Sequence, residues 1–202
     1  IGGDHSVSYP LTKAYLQAKK KQGKRAAIIH FDAHTDLLVE RLGIDLCFGS
    51  WCTHIIDDLH APHHLIQVGI RSSGKPKSHW EQTFGVKQHW ASEVKELGVE
   101  QVTQNILAQL ADENIDELYV SFDIDAIDES YASATGTPEP NGLMPSEAMS
   151  ILETLAGKYP ITGADMMEVA PFTDSSGLGL VSREKTLKVA GDLSAFLLEK
   201  MS

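Results

Sequence analysis

The chain has 202 residues, 42% of them hydrophobic and 22% charged, the proportions of a globular protein with one substantial core. Its formal charge of −11 argues against nucleic acid or an anionic membrane as the main partner. No apolar run approaches the roughly 20 residues that span a bilayer, no signal peptide is visible, and Cys47 and Cys52 make neither a disulfide framework nor a zinc knuckle, so reduced thiols in a cytoplasmic protein are expected.

The chain opens on "IGGDHS", without Met and in what reads as a strand end, so a preceding segment is expected. A helix follows over 7–22, with a basic tail that stops at Gly23. The apolar runs "RAAIIHFD" (25–32), "HLIQVGI" (64–70), "ELYVSFDID" (117–125) and "ITGADMMEV" (161–169) read as parallel strands covered on both faces. Between and after them lie helical patterns. Residues 100–113 place Val102, Ile106, Leu107 and Leu110 on one stripe. Residues 145–157 open with Pro145, suited to a first turn. Residues 182–200 align Leu187, Ala190, Leu193 and Leu197. Residues 126–144 and 171–180 are Gly/Pro/Ser-rich loops after strands. The pattern is one α/β domain over 1–202 with a mainly parallel sheet.

Such sheets bind ligands beyond the carboxyl ends of their strands. "HFDAHTD" sits there. On extended backbone, residues two apart share a face, so Asp32, His34 and Asp36 would point one way; helical turns would separate them. "SFDIDAID" repeats the device with Asp123 and Asp125, and "GGDHS" offers His5 after two permissive glycines. Each segment alone has an ordinary reading. A single D-x-D is usually a turn or cap, and a lone histidine is usually a core or surface residue. Three such segments at strand ends of one sheet point to a metal site. Four carboxylates with two imidazoles suit Mn²⁺ better than Zn²⁺ or Cu²⁺, and a bridged pair about 3.5–4 Å apart uses six ligands economically.

"GGDHS", "FDAHTD", "SFDIDAIDESYASATGTPEPNGL" and "ADMMEVAP" resemble, in order, the four signature segments of the ureohydrolases, the family of arginase, agmatinase and formimidoylglutamase. The resemblance implies a three-layer α/β/α sandwich, longer at its N-terminus and assembled as homotrimers or hexamers. It implies two Mn²⁺ ions, one held by His5, Asp32, Asp36 and Asp123, the other by Asp32, His34, Asp123 and Asp125. Glu168 would hold a cationic guanidinium, Thr137 would line the pocket, and Asp36 would relay a proton. The implied reaction is hydrolysis of a C–N bond in a small linear guanidino or formimino compound.

The sequence also departs from that pattern. Phe48, in "CFGSWCTH", falls where arginases and agmatinases carry a proton-shuttling histidine; His54 is the candidate replacement, against the plainer reading of a solvent-facing loop histidine. Formimidoylglutamases also lack that histidine. Leu38 and Gly74 replace polar groups that meet arginine's α-substituents, which disfavours arginase activity. Arg71 is a candidate for a substrate carboxylate, a helix cap or a surface ion pair, and Trp51 and Trp80 for pocket walls or ordinary packing. A metal-binding but non-catalytic subunit, regulatory or structural, is the alternative function. A single-zinc deacetylase on a related fold fits less well, because it would need fewer acids.

Overall fold

The computed structural model describes residues 1–172 and 180–201, with backbone alone at 180 and 181. Five parallel strands, β1 (Ala26–Phe31), β2 (Leu65–Val68), β3 (Lys87–His89), β4 (Glu117–Asp123) and β5 (Ile161–Met167), form one sheet in the order β3-β2-β1-β4-β5. The helices are α1 (Ser8–Lys21), α2 (Trp51–Ile55), α3 (Lys77–Phe84), α4 (Ala91–Leu97), α5 (Val99–Asp112), α6 (Pro145–Ala156) and α7 (Leu180–Met201). None of the described helices is long and apolar enough to cross a membrane.

Strand alternation divides the core into two layers. Ala27, Ile29 and Phe31 of β1 face one cluster with Val102, Ile106 and Leu110 of α5, Ile151 and Leu155 of α6, and Leu193 and Leu197 of α7. Ala26 and Ile28 face the other, with Leu16 of α1, Trp51 and Ile55 of α2, and Trp80 of α3. The result is the expected α/β/α sandwich. Phe31 and Phe122 pair across β1 and β4, with ring centroids 4.8 Å apart. Burying each is worth about 1.5–3 kcal/mol, and each fixes the strand end from which an aspartate, Asp32 or Asp123, emerges.

The four strands read from sequence are present, each shorter than its apolar run. β3 and the short helices α2, α3 and α4 were not expected. β3 is a three-residue edge strand, Lys-Gln-His, too short and polar to register as a period. Leu187, assigned to the buried stripe of α7, is exposed, while Ala190, Leu193 and Leu197 are buried. Residues 126–144 are a loop apart from one short turn and an isolated bridge from Ile127 to Leu143. Of the predicted loop 171–180, residues 173–179 lie outside the described residues. Both cysteines are free, and burial pushes the Cys52 thiol well up.

From β1 the chain steps outward to β2 and β3, then returns to β4 and β5 on the other side. β1 and β4 therefore flank the point where the order reverses, the place where open parallel sheets form a crevice.

Candidate metal centre

Asp32 follows β1, Asp123 ends β4, and Glu168 follows β5, all at one edge of the sheet. His5 reaches them from a short 3₁₀ turn, His5–Val7, whose N-cap Asp4 accepts the Ser6 N–H at 2.9 Å. That segment lies tight against β5. Gly2 N–H donates to the Met166 carbonyl at 2.8 Å, and Glu168 N–H donates to Gly3 O at 2.8 Å. A Cβ on Gly2 would come within 2.2 Å of Met167 Sδ, so any larger residue there would have to displace the end of that side chain.

His5 Nδ1 lies 3.0 Å from Asp123 Oδ2, 3.3 Å from Asp32 Oδ2 and 3.4 Å from Asp36 Oδ2. His34 Nδ1 lies 3.1 Å from Asp125 Oδ2 and 3.3 Å from Asp32 Oδ1. Asp32 thus faces both imidazoles, one with each oxygen. All six residues expected from sequence come together. The backbone that gathers them is not an extended strand, however. The His34 N–H turns back onto Asp32 Oδ1 at 2.6 Å, and Asp36 adopts φ 50°. Asp125 N–H donates to Asp123 Oδ1 at 2.8 Å, and Ala33 N–H to Asp125 Oδ1 at 3.0 Å. The residues picked out by period two are brought together, but Asx-type turns aim them.

Polar side chains behind the centre orient it. His5 Nε2 meets Ser121 Oγ at 3.0 Å, and Ser121 donates to Asp165 Oδ1 at 2.8 Å. With Ser121 donating onward, its oxygen accepts the His5 Nε2 proton, which fixes the ring with Nδ1 directed at the carboxylates. Asp165 also accepts from Tyr119 OH at 2.8 Å and Ser8 Oγ at 3.0 Å. Asp32 has its own support: His30 Nε2 lies 2.8 Å from Asp32 Oδ2, and Gln67 Nε2 donates to His30 Nδ1 at 2.9 Å. Trp51 Nε1 donates to Asp36 Oδ2 at 2.8 Å. Sequence reading missed His30, Ser121 and Asp165 because each sits inside an apolar strand run. Trp51 it left between wall and core.

Electrostatics identify what the centre requires. Burial raises Asp36 and Asp123 well above the carboxylate range, reinforced by Asp32 for Asp36 and by Asp125 and Asp32 for Asp123. Asp125 is raised by burial and Asp32 in the same way. Burial pushes His5 and His34 down, yet the carboxylates outweigh it: Asp123 and Asp32 hold His5 well above its usual value, and Asp125 and Asp32 bring His34 up to about 12. Four buried carboxylates this close cannot all ionise without compensating cations. Ligand-capable atoms of Asp32, His34 and Asp125 lie within 4.8 Å of one another, as do those of His5, His30, Asp32 and Asp36. The oxygen-rich set fits hard divalent cations that tolerate imidazole, Mn²⁺ among them.

A cavity of about 310 Å³ opens over the centre, lined by His5, His34, Asp36 and Asp123, with Asp4, Thr137 and Glu168 beside them. Glu168 holds a left-handed φ of 59°, and its Oε1 accepts the His5 N–H at 2.9 Å. Burial raises its pKa. Thr137 Oγ1 donates to Asp125 Oδ2 at 3.0 Å. The lining also includes Arg41, Phe48, Ser73, Gly74 and Trp80. Trp80 is pinned by a hydrogen bond from Nε1 to Ser73 Oγ at 2.8 Å.

Two candidates lie elsewhere. His54 is not part of the cavity lining; its Nε2 meets the Asp45 carbonyl at 3.0 Å, and its ring packs 5.6 Å from Tyr9. Arg71 is also not part of the cavity lining: its guanidinium donates to backbone carbonyls, Asp125 and Glu139 at 2.8 Å and Pro140 at 2.9 Å among them. It ties down the loop after β4.

Residues 1–198 match the model of the arginase family. The chain is 36% identical over 185 residues to the mitochondrial agmatinase of Gallus gallus, covering 88% of this chain and 51% of that protein. It is 34% identical over 180 residues to the mitochondrial guanidino acid hydrolase of Homo sapiens, covering 88% and 49%. The solved proclavaminate amidino hydrolase of Streptomyces clavuligerus superposes with a TM-score of 0.77 at 33% identity, covering 99% of this chain and 62% of that one. The chain spans about half the length of the curated relatives it matches.

Proposed function

The chain belongs to the arginase family, and from that premise we propose that it holds two Mn²⁺ ions and hydrolyses a small guanidino acid to an amine and urea. The observation that carries this reading is the placement of Glu168 on the same cavity as the crowded carboxylates. A silent relative needs no anion aimed at a cationic headgroup.

His5, Asp32, Asp36 and Asp123 would hold one ion, and Asp32, His34, Asp123 and Asp125 the other, with Asp32 and Asp123 shared. The pair would supply a water acidic enough to ionise near neutral pH. Glu168 accepts hydrogen bonds from the guanidinium and fixes its plane. Asp36, steadied by Trp51, is placed to take a proton and return it to the departing amine. Thr137, donating to Asp125, holds that carboxylate in one orientation. No role falls to His54.

Arg41 reads the tail of the substrate. Its guanidinium stacks 4.6 Å from the Phe48 centroid and forms no ion pair among the described residues. The lining therefore combines acidic groups, Glu168 among them, with the basic Arg41, matching a molecule that carries both a guanidinium and a carboxylate. The human relative is named for guanidino acids.

The test is release of urea from guanidino acids and guanidino amines, and of formamide from formimino compounds, of matched length by manganese-loaded protein. Guanidino acids are the expected substrates. Arg41→Gln should raise KM for them about tenfold with kcat nearly unchanged, the mark of binding lost equally in ground and transition states. The second reading, a non-catalytic subunit, draws on Phe48 in the cavity wall. No turnover of any compound with both ions bound would favour it and defeat the first.

A further inference from the structure

A second His/Glu cluster lies at the opposite edge of the sheet from the cavity. His63 and His64 stand on the 3₁₀ turn Pro62–His64 that leads into the start of β2, and Glu113 caps the C-terminus of α5. The strands are parallel, so the start of β2 faces away from the edge carrying the carboxylates. His63 Nε2 lies 3.0 Å from Glu113 Oε2, and His64 Nε2 lies 3.4 Å from the same oxygen. One nitrogen from each imidazole and this carboxylate all fall within 4.8 Å of one another.

From this geometry we propose that His63, His64 and Glu113 form a separate zinc-type cation site. Three protein ligands, two imidazoles and one carboxylate, are a donor set that zinc takes with a fourth position left to water. Bonds of about 2.0–2.1 Å in a tetrahedron place ligand atoms about 3.3 Å apart, close to the 3.0 and 3.4 Å found here. Two imidazoles to one carboxylate favour Zn²⁺ over the Mn²⁺ of the other centre. Both imidazoles bring Nε2 to the same Glu113 oxygen, His64 as a hydrogen bond at 3.4 Å, so the three groups already converge on one spot.

The backbone is already braced for the site. Gln109 Nε2 donates to the His63 carbonyl at 2.9 Å, and His64 N–H donates to Ala61 O at 3.0 Å. His64 is buried, whereas His63 and Glu113 are about a third exposed, leaving one side open to solvent and to an arriving ion. His60 is the neighbouring imidazole, its centroid 6.4 Å from that of His64. A bound ion would tie the entry of β2 to the end of α5 and raise thermal stability by ligand linkage.

The experiment adds Zn²⁺ to manganese-loaded protein, desalts it, and counts both metals by elemental analysis. Wild type should gain one zinc per chain with its manganese retained, and its unfolding temperature should rise. His63→Ala and Glu113→Gln alter partly exposed residues. They should keep manganese and lose both the added zinc and the thermal shift. Asp123→Asn, which damages the other centre, should still gain that zinc. Zinc taken up only in exchange for manganese would overturn the proposal, as would equal uptake in wild type, His63→Ala and Glu113→Gln.

Discussion

Half-buried Trp90 and buried Gln88, Gln67 and His30 form a chain across β3, β2 and β1 in which every link matches a donor to an acceptor: Trp90 Nε1 to Gln88 Oε1 at 2.9 Å, Gln88 Nε2 to Gln67 Oε1 at 2.8 Å, and Gln67 Nε2 to His30 Nδ1 at 2.9 Å. The chain ends where His30 meets Asp32. Beyond that point the balance fails. Asp32, Asp36, Asp123 and Asp125 are crowded together, and although each accepts hydrogen bonds, the His5 and His34 imidazoles are too little countercharge for four carboxylates. Both regions are buried and polar. The first is complete within the polypeptide, as a structural network is; the second leaves carboxylate charge uncompensated, as a cation site would. A buried polar group is ordinary when it is satisfied and diagnostic when it is not.

The comparison breaks most sharply at Asp123. Asp123→Asn should remove a shared ligand, cost at least one ion by elemental analysis, and slow urea release by on the order of 10³-fold or more, about 4 kcal/mol of barrier. Retained activity would contradict the site. Ser121→Ala tests the brace behind His5 without touching a ligand. Metal affinity should fall about 10–100-fold by competitive titration, the usual cost of losing the partner of a metal-binding histidine, with kcat recovered at saturating Mn²⁺. An unchanged affinity would show that Ser121 does not set the His5 tautomer.

Acidity sharpens the contrast. In chelated protein, carboxylate contacts hold His5 and His34 above their ordinary values, while burial does the same to Asp36 and Asp123. Folded protein then binds more protons than the unfolded chain, so its stability should fall as pH rises. His34, with its folded value about 12, contributes fully below about pH 6.5 and loses that contribution as pH climbs toward 12. Asp32 is held well below the usual range, so by pH 5 it is ionised in both states and adds no slope. Chelated protein should lose up to about 1.4 kcal/mol per pH unit for each retained proton between pH 7 and 9, measured by denaturant unfolding. Manganese-loaded protein should show a flatter profile, and parallel profiles would refute the frustrated-charge account.

The smallest effect belongs to the satisfied region. Gln67→Leu strands His30 Nδ1 and the Gln88 amide, and should cost about 1–3 kcal/mol of stability. Manganese uptake should remain at two ions. A loss of metal as large as that of Asp123→Asn would erase the distinction between the two regions.

How much of this was legible in the residues differs between the regions for the same physical reason. Asp32, His34, Asp36, Asp123 and Asp125 stand out because acids directly after apolar runs violate the ordinary rule of burial. His30, Gln67 and Ser121 do not, since a single polar residue inside a strand gives no sign of the partner it will meet across the sheet. The four strands with long apolar runs were readable, whereas β3, Lys-Gln-His, gains its identity only by pairing with β2. Arg71 shows the limit most clearly. From sequence it was a candidate for binding a carboxylate; in the fold, backbone carbonyls occupy its guanidinium.

The most direct test of the central claim combines elemental analysis with low-temperature electron paramagnetic resonance of manganese-loaded protein. The account predicts two Mn²⁺ per chain with the spectrum of an exchange-coupled pair, and one uncoupled ion in Asp123→Asn. A single ion at saturating manganese, or two with independent spectra, would contradict it.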